Sequence, residues 1–148
     1  MPTASFSVEI FIKAPLQAVF AYVSDLTRHA EWADNPLEIV PLSPGPAAQG
    51  SRYRSSANSH GVTFQSELVV RQFEPPERFI FGGEDATGQF SHEFTFVPSG
   101  GGTLLKRRII EKLLGLKPSI LTVSARCHII NYSLDYLYCD CSIDKNPK

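Results

Sequence analysis

Residues 120–141 read ILTVSARCHIINYSLDYLYCDC, and within them Ile120, Val123, Cys127, Ile130, Leu134, Leu137 and Cys141 are spaced by threes and fours. That spacing places seven apolar side chains on one face of a helix about six turns long. Pro118 suits the first turn of such a helix, and Gly115 suits a break ahead of it. Thr122, Val123 and Ile129 are β-branched and mediocre helix formers, but the regular stripe outweighs their propensity. From Gly50 to Ile110, by contrast, the chain reads as strand after strand. A one-sided helix after antiparallel strands predicts a curved sheet wrapped around that helix, with space between the two layers.

Working outward, Phe6, Val8, Ile10 and Ile12 alternate with polar neighbours and predict a half-buried first strand. A short helix begins at Ala14-Pro15 and carries Leu16, Val19, Phe20 and Val23 at helical spacing. A second covers Asp25 to Glu31, with Ser24 or Asp25 as its cap and Trp32 near its end. Strands are predicted over 37–42, 50–57, 62–73, 78–81, 87–97 and 103–110. Turn-rich Ser43-Pro44-Gly45-Pro46, Asn58-Ser59-His60-Gly61 and Ser99-Gly100-Gly101-Gly102 separate several of them. The order β-α-α-β6-α, with about seven strands joined by short loops, is an α+β organisation in one domain spanning 1–148.

The net charge of −1 is spread over interspersed acidic and basic residues, so no basic face invites nucleic acid or an anionic membrane. The nearest approach to a basic run, Lys106-Arg107-Arg108, lies inside a predicted strand. The N-terminus lacks the basic and apolar regions of a signal peptide, and no apolar run approaches the roughly 18 residues that cross a bilayer. Three cysteines, Cys127, Cys139 and Cys141, form no framework, which points to reduced thiols and a cytoplasmic location. On a helix Cys139 and Cys141 diverge, and His29, His60, His92 and His128 lack metal-ligand spacing, so no metal is expected. The glycine run 100–102 turns a hairpin rather than opening a helix, so no nucleotide cofactor is implied.

Several segments are familiar in kind. Val8-Glu9-Ile10-Phe11-Ile12-Lys13-Ala14-Pro15, followed by Val19-Phe20-Ala21-Tyr22-Val23-Ser24-Asp25, resembles the opening of polyketide cyclase/dehydrase-like proteins of the START-related, Bet v 1-like (SRPBCC) superfamily. Asp25-Leu26-Thr27-Arg28-His29-Ala30-Glu31-Trp32 resembles that family's helix-to-strand motif, and Gly50-Ser51-Arg52-Tyr53-Arg54 its next strand. Phe73-Glu74-Pro75-Pro76-Glu77-Arg78-Phe79 resembles its aromatic, Pro-Pro and Arg step, and Gly101-Gly102-Thr103 its last hairpin. The resemblance covers about residues 5 to 112. It implies a START-like ligand-binding domain of helix-grip fold: a seven-stranded antiparallel sheet curled around a long C-terminal helix, with an internal hydrophobic cavity. The Tyr- and Cys-rich tail from Tyr132 departs from the family pattern.

Tyr53, Phe64, Phe79, Phe81, Phe90, Phe94 and Phe96 would form an aromatic wall on the inner face. Each ring alone is better read as core filling, since aromatics are core residues first. Together with the cavity that the resemblance implies, they mark a binding surface. His92 lies in phase with Phe90 and Phe94, and Arg107 with Leu105 and Ile109, so both point inward among the rings. An imidazole and a guanidinium on neighbouring strands can bind a carboxylate, carbonyl or phenolate. Equally, His92 can satisfy a backbone group, and for Arg107 reaching solvent or pairing with a carboxylate is the better reading. Ser66 is a small inward residue that leaves room, and His128 and Tyr132, one turn apart, would complete the polar cluster from the helix.

Catalysis has only His92 and Tyr53 as general acid/base candidates. Ser66 with His92 lacks a nucleophile elbow and an orienting carboxylate. Asp25, Arg28 and Glu31 read as a cap and a surface pair, and Trp32 as a structural plug. The expected function is binding, with or without transport, of a small hydrophobic or amphipathic ligand such as a lipid, polyketide-like aromatic or isoprenoid. The protein would be a monomer or homodimer without stable membrane insertion. Two alternatives stay open on the same fold. One is a cofactor-independent cyclase, dehydratase or isomerase; the other is a quinone-binding chaperone or protein-interaction module.

Overall fold

Period-two alternation dominates the chain, and a computed structural model turns it into one antiparallel sheet. The model describes residues 3–32, 37–59, 61–86, 88–113 and 139–140. In chain order the elements are β1 (Thr3–Ile12), α1 (Leu16–Val23), a 3-10 helix (Leu26–Glu31), β2 (Leu37–Pro41), β3 (Arg52–Ser59), β4 (Val62–Glu74), β5 (Arg78–Asp85), β6 (Gly88–Ser99), β7 (Gly102–Leu113) and β8 (Cys139–Asp140). Their order across the sheet is β2-β3-β4-β5-β6-β7-β1-β8. From β2 to β7 the chain simply meanders. The chain leaves β1 near one edge, however, and re-enters at β2 on the other. α1 and the 3-10 helix therefore make the crossing over one face, and that face becomes the core.

The pattern of each element explains why it packs there. Ile10 and Ile12 of β1, and Val19, Phe20 and Val23 of α1, are all buried, as is Leu26 of the 3-10 helix. Phe20 sets its ring edge-on to Phe73 and Phe96, with centroids 5.4 and 5.0 Å away. Phe73 reaches that face because of a bulge: the β4–β5 register shifts between Val70 and Gln72, so the residue between them is extra. Val70 pairs with Phe81 and Phe73 with Phe79, and both therefore look inward although three positions apart. Gly100 and Gly101, at φ 49° and 82°, supply the two left-handed residues of the tight β6–β7 hairpin. Just past it, buried Thr103 donates from Oγ1 to the Ala14 carbonyl at 2.9 Å, fixing the corner where α1 begins.

The opposite face is polar and laced with ion pairs across strands. Lys106 meets Glu9 at 3.1 Å, Arg108 lies 4.0 Å from Glu93, and Arg52 pairs with Glu67. These pairs are exposed, apart from half-buried Glu93, and each is worth at most about 1 kcal/mol.

Two expectations are corrected. Among the described residues the sheet has eight strands rather than about seven, and it runs open from β2 to β8 instead of curling around a long helix. The helix read over 120–141 also fails at its end, because Cys139 and Asp140 are extended and pair antiparallel with Ile10 and Glu9. There they satisfy backbone groups on the side of β1 turned away from β7, an edge that is costly to leave open. The rest of that stretch, 120–138 and 141, lies outside the described residues. Among the described residues, the layer over the sheet consists of the two short N-terminal helices, not a long helix with a cavity beneath it.

Truncating the centre of this core should be severe. Phe79 is fully buried against Phe73, Phe81 and Phe94. Phe79→Ala is expected to cost about 3–5 kcal/mol in urea unfolding. Val62→Ser, at a position 54% exposed, should stay within about 0.5 kcal/mol of the parent.

Candidate functional site

Alternation along β6 and β7 sets the chemistry of the inner face. Phe90, His92, Phe94 and Phe96 share it from β6, and Leu105, Arg107, Ile109 and Glu111 from β7, with Phe94 opposite Arg107 and His92 opposite Ile109. His92 is also opposite Phe81 on β5, their ring centroids 4.8 Å apart. Arg107 and His92, diagonal neighbours, meet through Nη2 and Nδ1 at 3.0 Å. A guanidinium has no acceptor, so Arg107 donates, Nδ1 accepts, and His92 is a neutral imidazole with its proton on Nε2.

The 3-10 helix brings two further rings to this pair. Leu26, His29 and Trp32 are spaced by three, the repeat of a 3-10 turn, so they share one side, and all three are buried. Asp25 starts the turn, its carboxylate accepting from the Thr27 amide at 3.1 Å and the Thr27 hydroxyl at 2.6 Å. His29 lies against Trp32, with centroids 3.8 Å apart, and sets its edge toward Phe81 at 5.9 Å. The Arg107 guanidinium carbon stands 5.2 Å from the Trp32 ring and 5.5 Å from the Phe94 ring. Both are within cation–π range, which holds a charge among rings.

The predicted wall residues divide in two. Tyr53, Phe79, Phe81, Phe94 and Phe96 are buried. Phe64, Ser66, Phe90, His92 and Arg107 are half-buried on the same face. Phe90 lies over Gly83, its cross-strand partner. A Cβ at Gly83 would fall 2.8 Å from Phe90 Cζ, so only glycine lets this ring lie flat on the sheet. His128 and Tyr132 lie outside the described residues. Asp25 is the cap, and Arg28 pairs with Glu31 at 3.0 Å on the outer side of the 3-10 turn. Trp32 and His29 were absent from the predicted wall; the three-residue spacing through Leu26 was the signal that could have placed them there.

Three ionisable groups are displaced. The Tyr22 hydroxyl, donating to Glu31 at 2.6 Å, and the Arg28 guanidinium hold the Glu31 carboxyl below its usual range. Burial pushes the Tyr53 phenol up, and the Asp25 charge adds to it, so Tyr53 stays protonated at neutral pH. Glu111, opposite Phe90, is pushed up by burial and by Asp85. Among the described residues there is no group of three metal-ligating side chains and no helix long and apolar enough to cross a membrane.

The family described as "polyketide cyclase / dehydrase and lipid transport" matches residues 3–115 of this chain. No curated protein matches it. Among solved structures, TTHA0849 from Thermus thermophilus is similar at 18% identity and TM-score 0.66, covering 80% of this chain and 82% of its own. CV1439 from Chromobacterium violaceum is similar at 16% identity and TM-score 0.63, over 80% and 87%. Mll3558 from Rhizobium loti is similar at 16% and 0.62, over 81% and 87%. At these identities the likeness concerns the fold.

The raised Glu111 carboxyl has a consequence for stability. The folded state holds its proton to higher pH than the unfolded chain does, so this group lowers stability as pH rises through its folded range. Glu111→Gln should therefore raise the melting temperature at pH 7, and the gain should vanish near pH 3, where both states are protonated. Differential scanning calorimetry at the two pH values reads this directly.

Proposed function

We propose, from the premise that the chain belongs to the polyketide cyclase / dehydrase and lipid transport family, that it binds a small hydrophobic or amphipathic molecule on the inner face of its sheet. One observation carries the reading. α1 fills part of that face by packing Phe20 on Phe73 and Phe96, whereas Phe64, Ser66, Phe90, His92 and Arg107 remain half-buried on the same face. Rings there offer an apolar body broad contact, and the Arg107–His92 pair orients a polar end such as a carboxylate, carbonyl or phenolate. A lipid, an isoprenoid or a polyketide-like aromatic has this build. The protein would act as a cytoplasmic carrier or receptor for it.

Binding is favoured over general-base catalysis by the state of His92. Its Nδ1 accepts from Arg107, so the ring nitrogen that would take a proton is already engaged. Tyr53, held protonated, stands on β3, three strands from His92. Neither is poised as a base at neutral pH.

The neutral fluorescent probe N-phenyl-1-naphthylamine should bind at one site per chain, and Ser66→Trp, which fills the face beside Phe64 and Leu68, should weaken it at least tenfold. Unchanged affinity in a folded Ser66→Trp variant would remove this face as the binding surface. Native mass spectrometry of protein from its own host should show a co-purified apolar ligand.

A further inference from the structure

We infer that Glu31 latches the 3-10 helix down over the inner face of the sheet, with Tyr22 and Arg28 as its two catches, and that this helix is the gate through which a ligand enters. The gate deepens the binding reading above and rests on it; the latch stands on contacts of its own. The rings beneath the helix are closed off. Phe81 and Phe94 are 2% and 0% exposed, with His29 edge-on to the first at 5.9 Å and Trp32 edge-on to the second at 6.2 Å. A ligand that extends from half-buried Phe90 and His92 onto those rings has to lift this cover.

The 3-10 helix has the build of a movable piece. Its turns close through i→i+3 bonds, Arg28 N–H to the Asp25 carbonyl at 3.0 Å and Trp32 N–H to the His29 carbonyl at 3.2 Å, a poorer geometry than an α-helix offers. It joins α1 through Ser24 and Asp25, where the backbone passes from helical to extended, with φ −83° and ψ 94° at Asp25. Its inward side, Leu26, His29 and Trp32, is held by burial, which has no direction. Direction comes from Glu31, the residue before Trp32. One carboxylate oxygen, Oε2, accepts from the Tyr22 hydroxyl at 2.6 Å, and the other, Oε1, from Arg28 Nε at 3.0 Å. The Arg28 guanidinium also stands 4.4 Å over the Tyr22 ring, so the three side chains close a triangle across the joint of the two helices. Tyr22 is itself anchored in the buried side of α1. Glu31 thus acts on the face through Trp32 and His29, as a positioning residue.

Trp32 is the chain's single tryptophan, so its fluorescence reports the latch directly. Tyr22→Phe keeps the ring and removes one catch; Glu31→Gln keeps the shape and removes the charge. Loss of a charge-assisted hydrogen bond should raise the open population about tenfold. Acrylamide should then quench Trp32 more strongly in both variants, and N-phenyl-1-naphthylamine should associate faster in stopped flow. A gate that closes before and after entry speeds dissociation to match, leaving Kd within about twofold, whereas a loosened core weakens binding outright. The two changes combined should do no more than Glu31→Gln alone, since both act through one carboxylate. Lys106→Gln, which breaks the exposed pair with Glu9 on the opposite face, should leave both readings unchanged. Unchanged quenching in folded Tyr22→Phe and Glu31→Gln variants would overturn the latch. Stronger quenching with unchanged association would overturn the gate. If quenching responds as expected and the folded parent binds no probe, the binding reading fails and the latch stands.

Discussion

An open antiparallel sheet must shield one face from water, and among the described residues that task falls on a single crossing. Because β1 lies next to one edge and β2 forms the other, the chain between them has to pass over the strands that intervene. α1 settles over the half where Phe73 and Phe96 receive Phe20. The bulge in β4 serves the same end, since without the extra residue Phe73 would face outward with the charged ladder. The 3-10 helix then carries Leu26, His29 and Trp32 down onto the remaining face. Every feature of the candidate site follows from where that crossing ends.

A guanidinium in such a wall is an expensive guest. Removing Arg107 from water is offset by two ring faces and a charge-assisted bond to a neutral imidazole, arrangements that preserve the positive charge rather than neutralise it. Farther along the same strand, the raised Glu111 carboxyl marks how poorly the face tolerates a negative charge of the protein's own. The two positions, four residues apart on β7 and pointing to one side, give that strand a gradient from cation to carboxyl across an aromatic surface. Gly83 adds the geometric counterpart: its bare backbone lets Phe90 lie down beside His92, with ring centroids 5.8 Å apart.

Much of this was legible in the sequence because alternation in a strand leaves little freedom. Phe90, His92, Phe94 and Phe96 had to share a face, as did Leu105, Arg107 and Ile109, and the motifs from Val8 to Thr103 pointed to the family that the chain belongs to. Other features were not legible for physical reasons. The bulge depends on cross-strand pairing, which no local pattern encodes. Asp25 to Glu31 was read only as a short helix; it is the 3-10 repeat of three that sets Leu26, His29 and Trp32 on one side, where an α-helical turn would let that step drift. The helix over 120–141 was read by setting apolar spacing above weak propensity, and at Cys139 the free backbone edge of β1 decided the conformation instead.

Family membership and a shared fold leave the ligand unspecified, because structures alike at 16–18% identity share backbone paths and few side chains. Within this chain's apolar face, His92 and Arg107 are polar. A polar cluster that serves only packing tends to match donors with acceptors, so that it closes on itself. Here the Arg107 guanidinium donates to His92 Nδ1, and its charge stands over the Trp32 and Phe94 rings. The same bond that keeps His92 neutral also commits its second nitrogen to donating. The imidazole is thereby less a proton acceptor than an extension of the guanidinium, which supports the proposed reading of this face as a binding surface.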